Sequence, residues 1–178
     1  CQKKNIRVLE LPSISVKQPE TAYDIKKING GIIIQSIDSK LLNEGDSYQV
    51  ITKRAPTKEE LEDMLFTWKI VKHTKSNAIV IGKNKQSVGI GPGQVNRIWS
   101  TKQCFEHAVE LIGEDASHGA VLASDAFFPF DDCVEAAHTA GITAIIQPGG
   151  SINDQLSIDK CNEYDMAMLF TGMRHFKH

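Results

Sequence analysis

The chain lacks several of the features that would assign it to a class at once. In 178 residues no apolar run approaches the length of a membrane span, and no signal-peptide pattern is visible at its start. There is no basic surplus: the formal net charge is -2, which argues against a general nucleic-acid binder while leaving room for a local basic pocket. Aromatic residues are scarce at 7%, so a cluster of them carries information. The four cysteines, Cys1, Cys104, Cys133 and Cys161, are far apart and form no Cys-x-x-Cys pair. That spacing reads as free thiols of a cytoplasmic protein and not as a zinc site or a disulfide framework. Low-complexity stretches and internal repeats are absent. What remains is a chain with 41% hydrophobic residues, enough for a folded core.

The scarce aromatics concentrate in Ser124-Asp125-Ala126-Phe127-Phe128-Pro129-Phe130. Pro129 blocks a helix interior, and the run is too apolar for an ordinary loop. It follows the apolar stretch Gly119 to Ala123, which reads as a buried strand. It precedes Asp131-Asp132-Cys133, which reads as a helix start with acids in its first turn. A rigid aromatic segment where a strand hands over to a helix is a common position for ligands in α/β folds.

The rest of the chain reads as alternating strands and helices. Val8 to Leu11 reads as an edge strand, Gly30 to Gln35 as a turn feeding a strand, and Tyr48 to Thr52 as another strand. Thr57 and Glu60 have the spacing of a capping box, and Leu61, Met64, Leu65, Trp68 and Val71 follow at helical spacing. Beyond Ser76, strands are expected at 78–81, 120–123, 142–146 and 166–170, and helices at 101–112, 132–140 and 154–162. This order predicts a layered α/β domain with a mostly parallel or mixed sheet. The expected organisation is one α/β domain over residues 1–178 with a short N-terminal extension of about 29 residues.

Several residues invite chemical readings, each with a plainer counterpart. Asn77, just before a strand, offers a donor and an acceptor, yet taken alone it reads as a turn asparagine. Gly89-x-Gly91-x-Gly93 has its third glycine misplaced for a dinucleotide fingerprint, so the reading kept is a glycine loop allowing close backbone approach. Arg97, at the end of that loop, reads alone as a solvated charge, and Arg174 as a surface residue of the tail. Aromatic and histidine residues around Arg174 argue that the tail is docked. Plain core packing is the reading for Phe128 or Phe130. His107 and His138 are expected on helix faces, and His175 and His178 lack a third ligand for a metal.

Ser76-Asn77-Ala78-Ile79, Gly89 to Arg97, the aromatic segment, Gln147-Pro148-Gly149-Gly150-Ser151 and Phe170 to His178 occur in this order. Together they resemble the C-terminal part of the bifunctional purine-biosynthesis enzymes that combine AICAR transformylase and IMP cyclohydrolase, the PurH family. The resemblance runs from about Lys53 to His178. It implies a cytidine-deaminase-like α/β/α architecture, although the deaminase motifs His-x-Glu and Pro-Cys-x-x-Cys do not occur. It implies formyl transfer from 10-formyltetrahydrofolate, as cosubstrate, to the amine of AICAR. Asn77, Arg97, Phe127 and Arg174 would then contact the nucleotide. Ile98, Asp132, Ser151 and Ile152 would contact the folate.

The family also implies a homodimer, a monovalent cation near Asp125 and the C-terminus, and a proton-handling Lys-His dyad, while the cysteine spacing gives no zinc. Lys72-His73 looks like that dyad but sits in the wrong context, so no catalytic residue is expected in this chain beyond a supporting role for Asn77. The first residue is Cys and not Met, which reads as a fragment or a trimmed chain without the upstream half and the cyclohydrolase domain. The expected activity is therefore one completed by other protein, the alternative being an inert folate- or nucleotide-binding or structural module.

Overall fold

In the computed structural model, residues 7, 9–16, 19, 21–42 and 47–177 are described. The chain forms two compact units, Cys1–Lys40 and Leu41–His178.

In the first unit, strands β1 (Tyr23–Ile28) and β2 (Gly31–Ser36) pair antiparallel from Ile28↔Gly31 to Tyr23↔Ser36. Asn29-Gly30 joins them, the dipeptide that a two-residue hairpin turn favours, and Gly30 has φ 79°. A 3-10 turn, Pro12–Ser15, precedes the hairpin. The expected strand at 8–11 is not found: Leu9, Glu10 and Leu11 are irregular, and Val8 lies outside the described residues.

Among the described residues, the second unit is a six-stranded mixed sheet with four helices. Its elements in chain order are β3 (Gln49–Val50), α1 (Lys58–His73), β4 (Ile79–Lys83), β5 (Gln86–Gly91), α2 (Arg97–Ile112), β6 (Val121–Ser124), α3 (Asp132–Thr139), β7 (Ala144–Gln147), α4 (Asp154–Glu163) and β8 (Ala167–Phe170). The strand order is β3-β8-β7-β6-β4-β5. β6, β7 and β8 run parallel, while β3, and β4 against β6 and β5, are antiparallel.

Strand alternation with both faces apolar explains the layering. Ile79, Ile81, Leu122, Ile145 and Met168 form one face, buried with Cys104 of α2, Val134 of α3 and Cys161 of α4. Val80, Val121, Ala123, Ile146 and Leu169 form the other, buried with Met64, Trp68 and Val71 of α1. One helix thus covers one face and three the other, giving the expected α/β/α layers. The α1 start is a formed capping box: Thr57 Oγ1 accepts from Glu60 N at 3.1 Å, and Glu60 accepts from Thr57 N at 2.8 Å.

The first two glycines of the expected loop lie instead in strand β5, and Gly93 follows it with φ 68°. Gly89 and Gly91 lie in it against α2, where a Cβ would overlap the carbonyl oxygens of Cys104 and Ser100. Close backbone approach is indeed their role, but the partner is a helix of the same unit. The helix expected from 101 starts four residues earlier, because Asn96 caps it by accepting from Ile98 N at 3.1 Å.

Candidate functional site

Topology gathers the candidate residues at one sheet edge. β4 runs antiparallel to β6, with Ile79 opposite Ser124, so the start of β4 lies beside the end of β6. β5 returns antiparallel to β4, with Gly91 opposite Ile79. β6, β7 and β8 all end at that edge. The segments leaving these ends carry Asn77, Arg97, Phe127, Ser151 and Arg174. Ligands favour this edge of an α/β sheet because loops there diverge from a rigid frame.

Five of the eight candidates, Asn77, Arg97, Ile98, Phe127 and Asp132, line one cavity of about 430 Å³, together with Phe130. The aromatic segment forms its wall. Phe128 is fully buried in the core as expected, whereas Phe130 is 57% exposed and belongs to the cavity instead. Asp132 opens α3, and one of its oxygens accepts from Cys133 N at 2.8 Å.

Arg97 is the main correction. It is not a solvated loop charge: it is the first residue of α2 and is 6% exposed. Its Nη1 pairs with the fully buried Asp125 and donates to Ser124 Oγ at 3.1 Å and Ala78 O at 3.2 Å. Its Nη2 donates to Asn77 Oδ1 at 2.9 Å. Asn77 Nδ2 in turn donates to Gln94 O at 2.9 Å, so the amide is held at both ends. Asp125 Oδ2 is buried with no hydrogen-bond partner among the described residues. The buried network of Ser124 and Asp125 around Arg97 was not read from the sequence. Its one local signal was a polar Ser-Asp pair closing a buried strand.

The other three candidates lie beside the cavity. Arg174 is exposed, with its guanidinium carbon 4.9 Å from the centre of the Phe127 ring. Ser151 and Ile152 sit on the loop after β7, where Gly149 and Gly150 have φ 71° and 95°. Ile152 is 99% exposed. The tail is docked as expected: His175 N donates to Asp125 O at 3.0 Å, and Ser76 N donates to Lys177 O at 2.9 Å. The His175 ring is buried 4.8 Å from Trp68, with Nε2 3.1 Å from Leu41 O. His178 lies outside the described residues.

Lys72 and His73 occupy the last turn of α1 and do not line the cavity. His107 lies on α2 with Nδ1 2.7 Å from Ile90 O, and His138 lies on α3 stacked 3.8 Å from Tyr164. Cys104, Cys133 and Cys161 are free thiols and buried; Cys1 lies outside the described residues. Burial pushes the Cys133 and Cys161 thiols up to about 12 and Cys104 higher still. They are inert as nucleophiles. Among the described residues no three His, Cys, Asp or Glu side chains cluster as a metal site would require. None of their helices is long and apolar enough to cross a membrane.

A family model described as the AICARFT/IMPCHase bienzyme matches residues 1–107. The bifunctional purine biosynthesis protein PurH of Acetivibrio thermocellus is 60% identical over 177 residues, 99% of this chain and 33% of its own length. The proteins of the same name from Ruminiclostridium cellulolyticum and Aquifex aeolicus are 57% and 52% identical over the same shares. The chain thus spans about a third of the length of these relatives.

Proposed function

Because the chain belongs to the AICARFT/IMPCHase bienzyme family, we propose that it supplies part of a formyl-transfer site acting in purine biosynthesis. The substrates would be AICAR and 10-formyltetrahydrofolate. The observation that carries this reading is the cavity in which Asn77, Arg97, Ile98, Phe127 and Asp132 meet at the sheet edge.

The chemistry asks for positioning above all. The AICAR amine is a poor nucleophile, its lone pair being delocalised into the ring and carboxamide, so attack on the formyl carbon needs close approach, proton removal and a stabilised oxyanion. Phe127 offers its ring to the imidazole. Arg174, already over that ring, presents a planar fork for the phosphate. Asn77 offers its remaining amide hydrogen and lone pair to the carboxamide or amine. Arg97 fixes Asn77 through Nη2 and, lining the same cavity, faces the nucleotide as well. Asp132 suits the paired N–H and amino groups of the pterin, with Ile98, Ser151 and Ile152 completing the folate side.

No residue of this chain is assigned the proton transfer, since Lys72 and His73 lie off the cavity. The orphaned, buried Asp125 Oδ2 suits a monovalent cation, whose charge would offset that oxygen. The apolar side chains exposed at this edge, Val95, Trp99, Phe130 and Ile152, fit a site completed by a second protein surface, as in a homodimer.

Calorimetric titration tests the reading. AICAR should bind the chain, and Phe127→Ala and Arg174→Ala should each weaken it, by roughly tenfold or more for loss of a stacking or charge-assisted contact. Formyl transfer by the chain alone should be absent. A chain that binds neither AICAR nor the folate would refute the proposal and favour the inert module.

A further inference from the structure

Asn153 breaks a local rule. It stands immediately before α4, where asparagine is among the best capping residues, yet its side chain makes no bond to the helix amides. Its Nδ2 instead donates to Pro129 O at 2.8 Å, across 24 residues. Asp154, the first residue of α4, also turns back: its Oδ2 accepts from Gly150 N at 2.6 Å and Ser151 N at 3.2 Å. Ser151 Oγ accepts from Asn153 N at 3.1 Å. The loop from Gly150 to Asn153 is therefore closed on itself and tied to the aromatic segment through Asn153. A helix that forgoes its cap loses stability, and such local losses gather where function needs a geometry.

We infer that Asn153 is a positioning residue, a latch that sets the spacing between the two segments assigned above to the folate; the inference rests on that reading. Pro129 and Phe130 belong to the cavity wall that leads to Asp132. Ser151 and Ile152 lie on the tied loop, which holds the Ile152 side chain out in solvent. The Asn153 bond joins the loop directly to the wall, and Ser157 Oγ of α4 adds a longer one to Phe130 O at 3.4 Å. The spacing between Asp132, at one end of the flat ligand, and Ser151-Ile152 is then set before the ligand arrives. Of the nucleotide contacts, Asn77 lies on neither tied segment, whereas Phe127 shares the aromatic segment with Pro129.

The test separates latch from fold. Asn153→Asp removes the donor to Pro129 O and frees a negatively charged side chain to cap the helix N-terminus. The variant should melt at the wild-type temperature or above it. By calorimetric titration it should bind 10-formyltetrahydrofolate roughly tenfold more weakly, the equivalent of one ordered hydrogen bond, with a smaller loss for AICAR, of whose contacts only Phe127 is on the released segment. Asn153→Ala, lacking both donor and cap, should show the same selective loss. If wild type and Asn153→Asp bind the folate equally, the latch is refuted and the site reading stands. If wild type binds neither ligand, the site reading fails and takes the latch with it.

Discussion

Replacing Arg97 by Met removes a buried cation from a site that contains its counter-charge. Asp125 is fully buried, and its Oδ2 already lacks a partner, so the carboxylate would be left without compensation. Breaking a buried pair from one side costs ~3–5 kcal/mol, because the remaining charge is far from water. In a domain of this size each kcal/mol lowers the melting temperature by about 2–4 °C, so the expected fall is about 6–20 °C. Asp125→Asn should cost less, ~1–3 kcal/mol, because a neutral amide still offers Arg97 an oxygen, beside Ser124 Oγ, Ala78 O and Asn77 Oδ1. The double variant, neutral on both sides, should be less destabilised than the sum of the singles by ~1–2 kcal/mol. Urea unfolding at equal m-value measures all three. An Arg97→Met variant within ~1 kcal/mol of wild type, or strictly additive singles, would show that the pair is not buried as described.

Gly91→Ala should destabilise by about 3 kcal/mol or more, since its Cβ would overlap the Ser100 carbonyl and a strand–helix backbone contact cannot yield as a side chain can; a loss below about 1 kcal/mol on urea unfolding would refute that packing. Burial opposes ionisation of Glu60, but donors from Arg54 and the Thr57 amide outweigh it, so its carboxyl lies below the ordinary 4.5. A depressed folded-state pKa gives stability that is full above the unfolded value and is lost as pH falls through the folded one. Glu60→Gln should therefore shrink the drop in urea midpoint between pH 6 and pH 3, and an unchanged drop would count against the Arg54–Glu60 pairing. Thiol reagents at pH 8 should label Cys104, Cys133 and Cys161 only as fast as the chain unfolds; rapid labelling of any of the three would contradict their burial.

The parts of the fold legible in the sequence were those governed by near neighbours. The α1 start rests on two residues three apart, and its buried stripe on a period of 3.6, so both could be read directly. The apolar runs of β4, β6, β7 and β8 were readable because strands covered on both faces need little else. β1 and β5 were not. β1 alternates charged and apolar residues in a polar stretch, and the glycines of β5 mimic a loop until α2 is seen pressed against them.

The site divides in the same way. The resemblance named eight residues, and the structure brings five of them to one cavity, with Arg174 over Phe127 and Ser151-Ile152 on the next loop. It assigns Arg97 a buried clamp where sequence alone suggested a solvated charge. Sequence by itself determined the four helices, the apolar strands β4, β6, β7 and β8, and where the aromatic wall stands, because capping, periodicity and proline chemistry act within a few residues. Only the tertiary structure decided that β4 lies antiparallel between β5 and β6, that Arg97 meets Asp125 across 28 residues, and that Asn153 turns from its own helix to Pro129. Those outcomes depend on which distant partners share one buried space, and that competition leaves no periodic trace in the chain.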